Sequence, residues 1–289
     1  MTLKVAILGS NGQLGQQLTK TLKFFTETKG FSKKDIDITN SQNVQQILEQ
    51  FCPEVIINCA AYTNVGEAEI EKELADQINS KAINNLAEFS KNLGAHLIHF
   101  STDYVFSGES NSPYDEDDKT EPIGIYGHTK RAGELNLIGS GCKFTIFRVS
   151  GVYSHRKNSF LGKIIENLQK GDNFHVVNDQ HTLPTSVKFI ADIIKSLLRN
   201  NLLNEINGEI IHLAPDGIVS WHDFAQEIRN IYKNKTNAHI PSIKTISSED
   251  LNLSPKRPTF SVLSNKKIKK LLKVNSLESC IEALREYYI

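Results

Sequence analysis

Residues 4–22 read KVAILGSNGQLGQQLTKTL, and the fold turns on this stretch. Lys4–Gly9 is a short, almost continuous apolar run, as expected of a strand covered on both faces. Gly9, Gly12 and Gly15 come next, and then Leu14, Leu18 and Leu22 recur every four residues on one face of a helix. Glycines between a first strand and a first helix permit a tight turn, let the backbone approach a pyrophosphate and allow close helix–strand packing. The helix N-terminus adds free N–H groups and a partial positive charge. The spacing GxxGxxG is weak by itself, and its position here favours a dinucleotide site over a purely structural turn.

The pattern continues along the chain. EVIINCAA (54–61), AHLIHFST (95–102) and CKFTIFRVSGVY (142–153) are further strand candidates, and KELADQINSKAINNLAEFSKNLG (72–94) reads as one long amphipathic helix ending at Gly94. Strands alternating with helices indicate an α/β fold, a Rossmann-type doubly wound parallel sheet. Beyond residue 150 the pattern changes to shorter strands and helices, including GEIIHLA (208–214) and SWHDFAQEIRNIYKN (220–234). The expected organisation is a Rossmann domain over 1–150 with a return segment at about 180–205. A smaller C-terminal α/β substrate lobe would take 151–179 and 206–289, and would form a cleft against the strand carboxyl ends.

The 289 residues carry 33 Lys+Arg against 33 Asp+Glu, so no global field favours nucleic acid or an anionic membrane. No apolar stretch approaches the ~18 residues that span a bilayer, and no signal pattern precedes the first strand. The scattered Cys52, Cys59, Cys142 and Cys280 read as reduced thiols of a cytoplasmic protein, and the histidines show no metal-ligand spacing, so no metal is expected. At the end of the second strand, near Phe31, follow Ser32, Lys33 and Lys34, with no acid before Asp35. A carboxylate there would favour a free ribose 2′-hydroxyl, so its absence favours NADPH, with NADH open.

PIGIYGHTKRAGE (122–134) places Tyr126 and Lys130 four apart near the start of a helix, on one face. A nearby ammonium lowers a phenol's pKa, making tyrosine a usable acid or base, and can also hold ribose hydroxyls. Ser101 and Thr102, at a strand's carboxyl end, supply hydroxyls for a reacting carbonyl.

These motifs, with NCAAYTNV (58–65), STDYVFSG (101–108), VNDQ (177–180) and RPTFSVL (257–263), resemble in order and spacing the dTDP-4-dehydrorhamnose reductases, extended short-chain dehydrogenase/reductases. The resemblance covers essentially the whole chain. It implies NAD(P)H-dependent reduction of a 4-keto group on a nucleotide-linked 6-deoxyhexose, by a monomer or homodimer. Its cofactor residues would be Gly9, Asn11, Gly12, Gln13, Leu14, Ser32, Asp37, Ile38, Ala61, Tyr62, Thr63 and Phe100, with Tyr126 and Lys130. Thr102, Tyr126 and Lys130 would be catalytic, and Val65, Thr102, Asp103, Gly151, Gln180 and Arg257 would face the sugar nucleotide.

Three positions depart from that family. Gly151 stands where a tryptophan beside the sugar is expected, and Gly66 where an acid is expected. Gln17 and Lys188 match the glutamates with which some members hold a magnesium ion between subunits, and cannot form that carboxylate site. Two alternatives stay open. One is an epimerase or dehydratase on the same scaffold, although Tyr104 follows Asp103 where dehydratases have a glutamate. The other is a non-catalytic NADP-binding regulatory subunit.

Overall fold

The computed structural model describes residues 2–236 and 240–288. In chain order come β1 (Lys4–Leu8), α1 (Gln13–Leu22), β2 (Glu27–Phe31), α2 (Ser41–Phe51), β3 (Val55–Asn58), α3 (Lys72–Asp76), α4 (Ala82–Leu93), β4 (His96–Thr102), α5 (Ile125–Ser140) and β5 (Lys143–Val149). Then follow α6 (Phe160–Lys170), β6 (Phe174–Val177), β7 (His181–Thr182), α7 (Val187–Arg199), β8 (Glu209–His212), β9 (Val219–Ser220), α8 (Trp221–Lys235), β10 (Ile243–Ile246), α9 (Ser248–Leu251), α10 (Lys266–Leu272) and α11 (Cys280–Tyr288).

Six strands form one parallel sheet in the order β2-β1-β3-β4-β5-β8. The apolar run of β1 is explained by its two faces. Val5 and Ile7 pack with Leu18 and Leu22 of α1 and with α7, whereas Ala6 and Leu8 pack with Val44 and Leu48 of α2 and with α4. With both faces dry, no position in Val5–Leu8 can be polar. β2 and β3 leave β1 on opposite sides, so a crevice opens at the carboxyl ends of β1 and β3, where open α/β sheets bind ligands.

The second lobe is smaller. β6 pairs with β10 and β7 with β9, and a separate core gathers Tyr153, Leu161, Ile164, Phe224 and Ile228. Its expected boundary needs correction. β8 extends the main sheet beside β5, and Ile268 of α10 is buried in the core beneath that sheet. Residues 209–212 and 266–272 therefore belong with the Rossmann domain, although the sequence reading assigned them to the lobe. The edge of β5 needs a partner, and EIIH provides backbone hydrogen bonds together with apolar side chains.

The single helix expected over 72–94 is also interrupted. Between α3 and α4, Gln77–Lys81 forms a π-helical turn, and α4 then ends on left-handed Gly94 at φ 69° as expected. Such turns occur frequently at functional sites, and this one places Asn79 inward.

Candidate active site

The glycine turn forms the floor of the crevice. Gly9 has φ +73°, and a Cβ there would lie 2.8 Å from the Ala60 backbone nitrogen; one on Gly15 would lie 2.3 Å from the Gly9 carbonyl oxygen. Only glycine lets these three segments approach so closely. α1 begins directly after Gly12 with no acid in its first turn, so its N-terminus is open to an anion. A cleft of about 520 Å³ lies over the turn. Of the residues expected at the cofactor, Gly9, Asn11, Gly12, Asp37, Ile38, Ala61, Tyr62 and Thr63 line it. Lys33 lines it too, as do Ile36, Cys59 and Ala60, which the sequence reading did not single out as contacts.

Other expected cofactor residues point elsewhere. The Gln13 side chain accepts from the Ser154 hydroxyl, Leu14 packs on the core, and neither residue lines that cleft. Phe100 is buried beside Phe147. Ser32 is buried and donates through both N–H (2.8 Å) and hydroxyl (2.7 Å) to Asp35, which holds the Asp35 carboxyl below its usual range. Asp37 accepts from Thr39, which holds its carboxyl low as well.

Thr102 ends β4, and its hydroxyl caps the short turn that follows by accepting from the Tyr104 N–H (3.2 Å). It donates to Asp103 Oδ1 at 2.9 Å. Asp103 is buried rather than open to a ligand: Oδ2 accepts from Ser150 (2.8 Å), and Ser150 in turn meets the Thr182 hydroxyl. Burial raises the Asp103 carboxyl, and the hydroxyls around it pull it back. Its visible work is to orient Thr102.

Tyr126 and Lys130 both lie on α5, one turn apart. The Tyr126 ring meets Tyr104 edge-on, with centroids 5.7 Å apart. Burial pushes the Tyr126 phenol up to about 12; the nearby Thr102 hydroxyl opposes this and the Asp103 charge adds to it. The expected lowering by Lys130 is not realised, because that side chain turns inward. Lys130 Nζ donates to the Phe100 carbonyl (2.6 Å) and lies 3.2 Å from His99 Nε2. Burial lowers Lys130 to about 8, against the attraction of Glu134.

Asn79 was missed by sequence reading. It is fully buried; its Oδ1 accepts from the Tyr62 N–H (2.9 Å), and its Nδ2 donates to the Tyr62 carbonyl (3.0 Å) and to Thr129 of α5 (3.2 Å). One amide thus ties the cleft wall to the helix that carries Tyr126. The asparagine in a polar run of an otherwise amphipathic helix was the available signal, and periodicity alone could not show its direction.

On the lobe side, Gly151 has φ +52°, and a Cβ there would lie 2.9 Å from the Trp221 indole. Trp221, which opens α8 and packs on Phe160 at 4.3 Å, occupies the space a side chain at position 151 would enter. Gln180 is buried and donates to Ser248 (2.8 Å). Val65 is half-buried beside Gly66, whose Cα faces the Arg257 guanidinium: a Cβ would lie 4.0 Å from Nη2. The Nη1 atom of Arg257 is buried with no hydrogen-bond partner among the described residues. Glycine at position 66 offers no carboxylate to that guanidinium.

Gln17 donates to Thr21, and Lys188 pairs with Asp192. No group of three or more His, Cys, Asp or Glu side chains suited to a metal ion occurs among the described residues.

The family model described as RmlD substrate binding domain matches residues 3–288. A dTDP-4-dehydrorhamnose reductase of Burkholderia thailandensis is 31% identical over 274 residues, covering 92% of each chain. The spore coat polysaccharide biosynthesis protein SpsK of Bacillus subtilis is 32% identical over 286 residues, covering 98% of this chain and 96% of its own. The crystal structure of the Bacillus anthracis dTDP-4-dehydrorhamnose reductase in complex with NADP superposes with a TM-score of 0.91 at 34% identity, covering 100% of this chain and 99% of that one. The chain belongs to the dTDP-4-dehydrorhamnose reductase family of NADP-dependent oxidoreductases.

Proposed function

We propose that this protein reduces, with NADPH, the 4-keto group of a nucleotide-linked 4-dehydro-6-deoxyhexose during surface-sugar biosynthesis in the cytoplasm. One observation carries the reading: Thr102, at the carboxyl end of β4, stands near enough to the Tyr126 phenol that its hydroxyl opposes the upward push of burial on that phenol. Lys33 at the cleft rim, with Asp35 engaged by Ser32, supports a cofactor carrying a 2′-phosphate. The buried Nη1 of Arg257, without a hydrogen-bond partner among the described residues, supports an anionic substrate such as a nucleotide diphosphate.

The cleft over Gly9 and Gly12, walled by Ala61, Tyr62 and Thr63, would hold a dihydronicotinamide cofactor, whose chemistry would be hydride donation to the ketone carbon. Tyr126, still protonated at neutral pH, gives its proton to the developing alkoxide. Thr102 turns its O–H from Asp103 to the same oxygen, and Asp103 keeps its bond to Ser150. Asn79 fixes the cleft wall relative to α5 while this happens.

The test is loss of NADPH absorbance with freshly generated dTDP-4-dehydro-6-deoxyhexose. Turnover should disappear in Tyr126→Phe, by about 10²–10⁴-fold, with NADPH binding retained. Full turnover in that variant would remove Tyr126 from the mechanism. Binding of NADPH without any oxidation by the unaltered protein would favour the regulatory role.

A further inference from the structure

A buried chain of hydrogen bonds leads from the end of β3 to Lys130. Asn58, His99 and Lys130 are 1%, 1% and 2% exposed, so none of their polar atoms can turn to water. The Ala60 N–H donates to Asn58 Oδ1 at 3.1 Å, which leaves Asn58 Nδ2 facing His99 Nδ1 at 3.2 Å. An amide NH₂ can only donate, so Nδ1 is the acceptor and the proton of the neutral imidazole sits on Nε2. That Nε2 lies 3.2 Å from Lys130 Nζ, which also donates to the Phe100 carbonyl at 2.6 Å.

An ammonium is a donor only, so a charged Lys130 would meet the Nε2–H donor to donor. Moving the histidine proton to Nδ1 transfers the conflict to Asn58. Turning the Asn58 amide transfers it to the Ala60 N–H. An imidazolium has no acceptor at all. A free amine satisfies the whole chain, because its lone pair accepts from His99 while its own hydrogen reaches Phe100.

We propose that His99 is a positioning residue that sets the charge of Lys130. The tautomer imposed by Asn58 turns an N–H toward the lysine nitrogen, so the ammonium is lost at a lower pH than opposite an acceptor. The downward displacement of Lys130 has the same sign, and burial keeps His99 neutral. The other charged and titratable neighbours do not supply the missing acceptor. Glu134, one turn on, favours the ammonium but is held by Arg148 of β5 and by Arg131. Cys59, beyond β3, is kept a thiol by burial. Asp103 is held by Thr102 and Ser150, and Tyr126 stays a neutral phenol.

This inference rests on the proposed reductase reading only for its kinetic test. The direct measurement is long-range ¹H–¹⁵N NMR on protein with ¹⁵N-labelled histidine, assigned by the signal absent in His99→Gln. The expected state of His99 between pH 6 and 9 is neutral with the proton on Nε2; a proton on Nδ1, or an imidazolium, overturns the proposal. In Asn58→Asp the carboxylate accepts from both sides, and the His99 proton should appear on Nδ1; an unchanged tautomer also overturns it.

The kinetic measurement is the pH profile of kcat/KM for NADPH-dependent ketone reduction. In His99→Gln the amide can turn its oxygen to Lys130, so the alkaline limb should move up by about one pH unit. A lower rate with the limb in place would mean that His99 only fills space, and the proposal fails. No reduction at any pH by the unaltered protein would sink the reductase reading, while the tautomer measurement would still decide the role of His99.

Discussion

Thr102 shows how much chemistry one side chain can be assigned by its neighbours. Its hydroxyl accepts from the Tyr104 N–H and donates to Asp103, so it is held in a single rotamer near the Tyr126 phenol. Valine keeps the shape and removes every one of these bonds. Thr102→Val should therefore lower kcat by about 10²-fold, the scale of losing one preorganised donor to a developing oxyanion. KM for the ketone should change much less, and steady-state kinetics would separate the two. An equal loss in both constants would mean that Thr102 binds the ground state and transition state alike.

At the scale of elements, the site depends on how α5 is seated against its neighbours. Gly127 and Gly133 let the helix lie directly on other backbone: Cβ atoms there would be 2.2 Å from the carbonyl oxygens of Tyr104 and Asn79. The π turn between α3 and α4 then presents Asn79 to both Tyr62 and Thr129. Asn79→Ala would leave the Tyr62 N–H and carbonyl unpaired in a partly buried loop. It should cost about 1–3 kcal/mol, read as a lower Tm in thermal unfolding. NADPH affinity should fall with it, since Tyr62 and Thr63 line the cleft. A variant with unchanged Tm would show that the turn forms without its asparagine.

At the scale of the whole molecule, a buried ion pair joins α5 to β5. Arg148, 1% exposed, makes two hydrogen bonds to the fully buried Glu134, through Nε and Nη2 at 2.9 Å each. Burial alone would raise the Glu134 carboxyl, but the bonds and charge of Arg148 outweigh it and hold the group below its ordinary value of 4.5. Because the folded value is depressed, the contribution to stability is present above the unfolded pKa and is lost as pH falls through the folded one. Arg148→Met strands the carboxylate and should destabilise by about 3–5 kcal/mol at pH 7. Urea unfolding at pH 7 and pH 4 should show the deficit shrinking at the lower pH, where the stranded Glu134 can take a proton. A deficit independent of pH would assign the loss to packing.

The amino-acid sequence by itself determined the features that depend on local backbone chemistry. A dry strand needs the unbroken apolar run of Val5–Leu8, a phosphate turn needs glycines at 9, 12 and 15, and the YxxxK spacing needs only a helix to put both side chains on one face. These reach from residues to elements without knowledge of the rest of the chain. Only the tertiary structure decided which way side chains turn once elements pack. Lys130 points to His99 of β4 instead of lowering Tyr126, and Asp103 faces inward to Ser150. Trp221 fills the space beside Gly151 from seventy residues away, and EIIH joins the main sheet because β5 offered it an open edge. Each of these choices is made by a neighbour distant in the chain, and neither periodicity nor spacing carries information about which distant segments will meet.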